Sequence, residues 1–158
     1  MDALTELYIP EYFGVCELVP IELYEMVCPV VGDEYDVTNE HELLKLYDPN
    51  ILRGADWLRQ EYGPMVVNNW YMDGPRNWSG IRFVQSAWYS RGSMHSVGQA
   101  IDLQPRIVSP EQIRVDIRKR VKAGEKIPFI TRIENGTSSW IHIDTKKKWT
   151  GKPYFFNP

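Results

Sequence analysis

The segment Trp140-Ile141-His142-Ile143-Asp144 alternates apolar and polar residues with period two, and it follows closely on an Asn135-Gly136 pair. Period-two alternation marks a strand with one buried face. Asn-Gly is a strong turn pair for joining two such strands. Residues 129–134 and 139–145 are therefore expected to form a hairpin. In its second strand Ile141 and Ile143 go to the core, while Trp140, His142 and Asp144 share the opposite face. This commits the chain to a sheet and sets an imidazole and a carboxylate side by side on it.

Helices are equally legible. Asp48 before Pro49 is a strong helix start, Ile51, Leu52, Ala55 and Leu58 give the buried stripe, and Gly63-Pro64 gives the stop. Ser109-Pro110-Glu111-Gln112 combines proline in the first turn with a capping box. Ile113, Ile117 and Val121 form the apolar face of that helix, with Arg114, Arg118 and Lys122 expected in solvent. Thr38 is expected to cap a helix running through Leu46. Residues 1–37 read as an irregular arm with a short helix near residues 20–26; Leu18, Val19, Ile21, Leu23 and Tyr24 let it pack on the domain. Further strands are expected at residues 65–71 and 98–103. At 158 residues the chain suits a single α+β domain, with a small antiparallel sheet and helices packed on one face. The turn-rich stretch 73–92 carries Trp78, Trp88, Arg76, Arg82 and Arg91 and is long enough to suggest a functional loop walling a cleft.

The chain has only three histidines. His95 precedes Asp102 in Ser93-Met94-His95-Ser96-Val97-Gly98-Gln99-Ala100-Ile101-Asp102, and His142 lies in the alternating strand. His41 sits between Glu40 and Glu42 and is expected to be solvated. Two imidazoles and one carboxylate are the donor set of a three-ligand zinc site, which leaves one tetrahedral position for water or substrate. Gly98 lets the chain bend between His95 and Asp102, and Ala100 leaves room near the metal. Ser93 is expected to orient a ligand by hydrogen bonding.

Composition narrows the partners. A net charge of −3 and a pI of about 5.6 give no basic face for nucleic acid. The run Lys146-Lys147-Lys148 is expected to be a solvated strand end. Aromatics make up 13% of the chain, which suits a core and also a cleft that binds peptide or sugar. Cys16 and Cys28 are too few for a disulfide framework and are expected to act as small hydrophobes. No stretch reaches the roughly 18 apolar residues of a membrane span, and the N-terminus carries no basic-then-apolar export signal. A cytosolic, monomeric product is the expectation.

The pattern Ser93-x-His95-x-x-Gly98-x-Ala100-x-Asp102, followed by Trp140-x-His142, resembles the M15 zinc peptidases. These are D-Ala-D-Ala carboxypeptidases and L-alanyl-D-glutamate endopeptidases that cut peptidoglycan peptides, many of them from bacteriophages. Looser similarity, through Tyr12-Phe13, Glu17-Leu18-Val19, residues 58–64 and Val67-Asn68-Asn69-Trp70, extends the likeness over residues 12–146. The resemblance implies an M15 or hedgehog-like fold with the zinc site at the sheet, and His95, Asp102 and His142 as ligands. It also implies a peptidoglycan peptide as substrate, met after release at lysis or from within a virion. Two positions depart from the pattern. Ser139 stands where many relatives carry an acidic residue, so the general base falls to Asp144 or Glu134. The arginine many relatives place after the first strand is absent there, and Arg82 is the substitute, with Arg76 and Arg91 behind it. Trp140 is a candidate substrate contact. These departures also leave open a non-catalytic member of the fold that keeps its metal as a binding module.

Overall fold

The computed structural model describes residues 7–158. The expectation of an N-terminus without an export signal concerns residues 1–6 and lies outside them. Four helices, α1 (Val15–Leu18), α2 (Ile21–Val27), α3 (Pro49–Tyr62) and α4 (Pro110–Lys122), accompany seven strands: β1 (Val30–Val31), β2 (Glu34–Tyr35), β3 (Met65–Val66), β4 (Ala100–Pro105), β5 (Arg132–Glu134), β6 (Ile141–Asp144) and β7 (Tyr154–Phe156). β1 and β2 form a separate two-stranded ribbon, and the other five make one sheet in the order β3-β4-β6-β5-β7.

The local helix signals hold. The Asp48 side chain accepts a hydrogen bond from the Asn50 amide at the start of α3, and Gly63 ends the helix with φ 86°. Ile51, Leu52, Ala55 and Leu58 are all buried. Gly54 lets α3 lie close to the sheet, because a β-carbon there would press on Ile130. At α4 both halves of the Ser109–Gln112 capping box are made.

Several expectations are corrected. The sheet is mixed, not antiparallel: β7 returns from Gly151 and pairs parallel to β5. The strand expected over residues 65–71 stops at Val66 and is followed by a 3₁₀ turn, Trp70–Met72. Here Asn68 and Asn69 turn their side chains to the Ser79 and Arg76 amides, and the backbone leaves the ladder. The helix expected from Thr38 is a 3₁₀ segment, Glu40–Leu46, because Thr38 is bonded to Asp36. Arg114 is not in solvent but 1% exposed; it donates to the carbonyl oxygens of Glu134, Thr137 and Trp140 and to the Thr137 hydroxyl. A buried guanidinium satisfies several backbone acceptors at once, so Arg114 ties α4 to the β5–β6 turn.

The arm packs as its apolar content implies. Phe13, Val15, Leu18, Val19, Tyr24 and Cys28 belong to the core. Asp56 of α3 accepts from the Tyr8 hydroxyl and the amides of Glu11 and Tyr12, which holds the arm in place. Both cysteines are free, Cys28 buried and Cys16 partly so.

Candidate metal centre and its cleft

Strand register builds the site. β4 and β6 run antiparallel with Asp102 opposite His142, while the flanking pairs Ile101–Ile143 and Leu103–Ile141 are buried hydrophobics. Directly opposed residues on one face have their β-carbons about 5 Å apart. The Asp102 carboxylate and the His142 imidazole therefore meet, with Oδ1 2.8 Å from Nδ1. His95 arrives from the 3₁₀ turn Met94–Val97, whose first amide-bonding side chain is Ser93: its hydroxyl accepts from the His95 amide at 3.3 Å. Gly98 closes that turn with φ 67°. A β-carbon there would also run into the Leu46 carbonyl oxygen. Glycine is thus demanded twice at this point, by conformation and by space.

The three side chains converge. His95 Nε2 lies 3.3 Å from His142 Nδ1 and 3.4 Å from Asp102 Oδ1, and the third edge is the 2.8 Å contact above. Ligand bonds of about 2.0–2.1 Å in a tetrahedral zinc site place donor atoms about 3.3 Å apart. The triangle fits such an ion, and all three residues are buried. Each of the three side chains is held from behind. His95 Nδ1 is 2.7 Å from the Gly80 carbonyl oxygen, which fixes Nδ1 as the protonated nitrogen and turns Nε2 toward the centre. Arg82 donates from Nη2 to Asp102 Oδ2 at 2.6 Å and from Nε to the Trp78 carbonyl. His142 Nε2 faces Asp144 Oδ2 at 3.4 Å, and Arg132 grips Asp144 with contacts of 2.7, 3.0 and 2.5 Å.

The electrostatics follow from this packing. Burial raises the Asp102 carboxyl, but the bond to His142 and the nearby His95 imidazole outweigh it and hold it well below the usual carboxylate range. Burial lowers His142, yet its bonds to Asp102 and Asp144 win and bring it to about 9. Asp144 is raised by burial and lowered more by His142 and Arg132, so it stays ionised. A cluster that concentrates anionic charge around two imidazoles is the environment a divalent cation replaces a proton in.

A cleft of about 550 Å³ opens over the triangle. One wall is the loop 73–92, through Arg76, Trp78, Arg82 and Trp88; Trp140, Ser93 and Glu134 also line it. Of the two carboxylates offered for proton transfer, Glu134 is the one in the cleft. Its Oε2 is 4.0 Å from His142 Nδ1, on the same edge of the ring as Asp102. Asp144 is fully buried at the other edge. Arg82 is brought to the site but is engaged by Asp102, whereas Arg91 is exposed and does not line the cleft. His41 is exposed, as expected.

Four contributors were not legible in the sequence. Gly80 supplies a carbonyl to His95, Arg132 anchors Asp144, Arg114 fixes the turn bearing Glu134 and Trp140, and Tyr47 anchors the loop by donating to the Leu18 carbonyl and accepting from the Ile81 amide. Only the Arg132 signal was available locally, as the third residue before the Asn135-Gly136 turn on the strand facing Asp144. Comparison with family models, curated proteins and solved structures finds no match for this chain.

Proposed function

We propose that this protein is a zinc-dependent peptidase that cuts peptidoglycan stem peptides or their cross-links. The observation that carries the reading is the Nε2, Nδ1 and Oδ1 triangle at the floor of a cleft, with a free-edged carboxylate, Glu134, beside it. Zinc bound there supplies Lewis acidity, polarising a carbonyl oxygen and making water a nucleophile near neutral pH. The chain's own residues do the rest. Glu134 accepts the proton of the attacking water at a carboxylate oxygen and returns it to the leaving amide nitrogen. Arg82 holds Asp102, Asp144 with Arg132 holds the His142 ring, and the Gly80 carbonyl holds His95. Trp140, with Trp78 on the loop wall, gives the substrate an apolar surface to lie on. The open cleft and the carboxylate facing it favour catalysis over a metal-stabilised binding module, for which a loop packed across the site is the natural design. Among the described residues no helix is long and apolar enough to cross a membrane; the enzyme reaches the wall on lysis or as part of a virion.

Digestion of purified peptidoglycan tests the proposal. The zinc-loaded protein should release fragments with new amino and carboxyl termini and intact glycan, and a chelator should stop it. His95→Ala and His142→Ala should lose both zinc and activity, while His41→Ala keeps both. New reducing sugar ends without new peptide termini, or full zinc retention by both site variants, would overturn it.

A further inference from the structure

The overall charge of −3 hides a segregation along the chain. Residues 1–48 hold 12 of the 21 acidic residues and only one of the 18 basic ones, Lys45, so they carry −11 while residues 49–158 carry +8. Part of that positive charge gathers where two segments meet beyond the end of β6. The Ile127 amide donates to the Gly151 carbonyl at 2.9 Å, the Trp149 indole donates to the Ile127 carbonyl at 2.9 Å, and the Lys147 amide donates to the Thr131 hydroxyl at 3.2 Å. These bonds hold residues 126–131 alongside residues 145–154. Lys126, packed beside Gly151, thereby joins Lys146, Lys147, Lys148 and Lys152 in one region of the surface. All five lysines are exposed, and among the described residues none pairs with a carboxylate; nearby Glu125 is held by Arg120 and Asp144 by Arg132. Apolar rings stand among them. Trp149 is 47% exposed, Tyr154 on the edge strand β7 54%, and Phe129 37%. The Lys147 ammonium lies 3.9 Å from the centre of the Tyr154 ring. Phe129 occupies the middle of a three-residue turn, closed by the Ile130 amide on the Pro128 carbonyl, with φ 61°. A γ-turn with positive φ is rare and strained, the more so for a bulky residue. Strain that keeps an apolar ring at the surface points to a use for that ring. None of these residues lines the cleft.

We propose that this face docks the protein on an anionic phospholipid membrane, lying on the surface without inserting a helix. Lipid offers the two layers that the face requires. Anionic headgroups attract the lysines, each contributing about 5-fold in affinity. The boundary beneath the headgroups takes the rings, and tryptophan and tyrosine, with an apolar body and a polar edge, settle at that level. The acidic part of the chain is repelled by the same headgroups, which favours approach through this face. Single-stranded nucleic acid also combines basic and stacking side chains, but it follows a groove. Here the rings stand on a turn and an outer strand. The face is separate from the metal centre, and the proposal does not depend on the peptidase reading.

The test sediments the full chain with vesicles of phosphatidylcholine alone and of phosphatidylcholine with about one-third phosphatidylglycerol. At low salt the anionic vesicles should bind about 100-fold more tightly than the neutral ones, and the gap should shrink in about 0.5 M salt, where charges are screened within a few ångströms. Lys146→Gln combined with Lys148→Gln should weaken anionic-vesicle binding about 10–30-fold. Phe129→Asn, a residue that tolerates the left-handed conformation, should weaken it about 3–10-fold. Lys45→Gln, in the acidic part of the chain and paired with Glu42, should bind as the wild type does. The proposal is overturned if the protein binds neither vesicle, binds both equally, or loses nothing in the double lysine variant, whose exposed positions leave the fold intact. Two other occupants are read alongside. Tight binding of a single-stranded oligonucleotide, with none to anionic vesicles, would assign the face to nucleic acid. A dimer in sedimentation velocity that the double lysine variant abolishes, again without vesicle binding, would assign it to the acidic part of a second copy. Either result overturns the membrane proposal. Cleavage of purified peptidoglycan by the double lysine variant should match the wild type; absence of cleavage in both would sink the peptidase reading and leave this one standing.

Discussion

Asp144→Asn separates orientation of a ligand from proton transfer. The substitution keeps the shape of the side chain and removes its charge at a position that is 0% exposed. Asp144 accepts three contacts from the Arg132 guanidinium, at 2.7, 3.0 and 2.5 Å, and one from the Lys146 amide at 3.1 Å. Breaking a buried ion pair from one side typically costs ~3–5 kcal/mol. Two features reduce that here. Arg132 is 15% exposed and lies over the Phe156 ring at 4.3 Å, and asparagine keeps one oxygen for it. The expected loss is about 2–3 kcal/mol, or two weakened charge-assisted hydrogen bonds. For a chain of this length that lowers Tm by roughly 4–12 °C. The His142 ring also loses the anion facing Nε2, so zinc affinity should fall about 10–100-fold. Turnover of the zinc-saturated variant should stay within a few-fold of wild type. Glu134→Gln should show the reverse: near-normal Tm and zinc affinity, with turnover down about 10²–10⁴-fold. Thermal melts, zinc competition against a chelating dye and peptidoglycan turnover at saturating zinc give all three readouts. If Asp144→Asn binds zinc at saturation yet loses turnover as Glu134→Gln is expected to, Asp144 handles the proton and the orienting role assigned to it is wrong.

Arg114→Met should destabilise the fold by about 3–5 kcal/mol in urea titrations, because it orphans the Glu134 and Thr137 carbonyls and leaves the Trp140 carbonyl with the Thr137 hydroxyl alone; Arg118→Ala, at a half-exposed position, should change stability by about 1 kcal/mol or less. His142, raised to about 9 without metal, stabilises the metal-free fold fully below its unfolded value near 6.5 and loses that contribution as pH rises through about 9. Zinc needs the neutral ring, so its affinity should climb between about pH 6.5 and 9, and binding at pH 7 should release about one proton, read by calorimetry in buffers of different ionisation enthalpy; no proton release would contradict the raised His142. Gly98→Ala forces a β-carbon into positive φ and against the Leu46 carbonyl, and should cost about 1–3 kcal/mol in thermal melts with a matching drop in zinc content.

What the sequence determined by itself is what neighbouring residues decide among themselves. The Asp48-Pro49 start, the Gly63 stop and the Ser109–Gln112 capping box each close hydrogen bonds within a few positions, and all three appear as read. The period-two run at Ile141–Asp144 and the turn at Gly136 are likewise local, and His95, Asp102 and His142, singled out by residue type, do come together in a group that could hold a metal ion. Tertiary structure decided everything that depends on which distant segments meet. The pairing of β4 with β6 opposes Asp102 to His142, and no feature of either segment alone dictates that register. Glu134 and Asp144 looked equivalent from the sequence because both can reach His142; only the fold shows which edge of the ring each one faces. Arg114 falls on the polar side of α4 by periodicity, but the β5–β6 turn folds over it and its carbonyls take up the charge. Strand β7 has three residues and no alternation to announce it, and it pairs parallel to β5 because the chain returns through Gly151. Short strands and buried cations draw their stability from partners far along the chain, so the information that places them lies in the packing and not in their own residues.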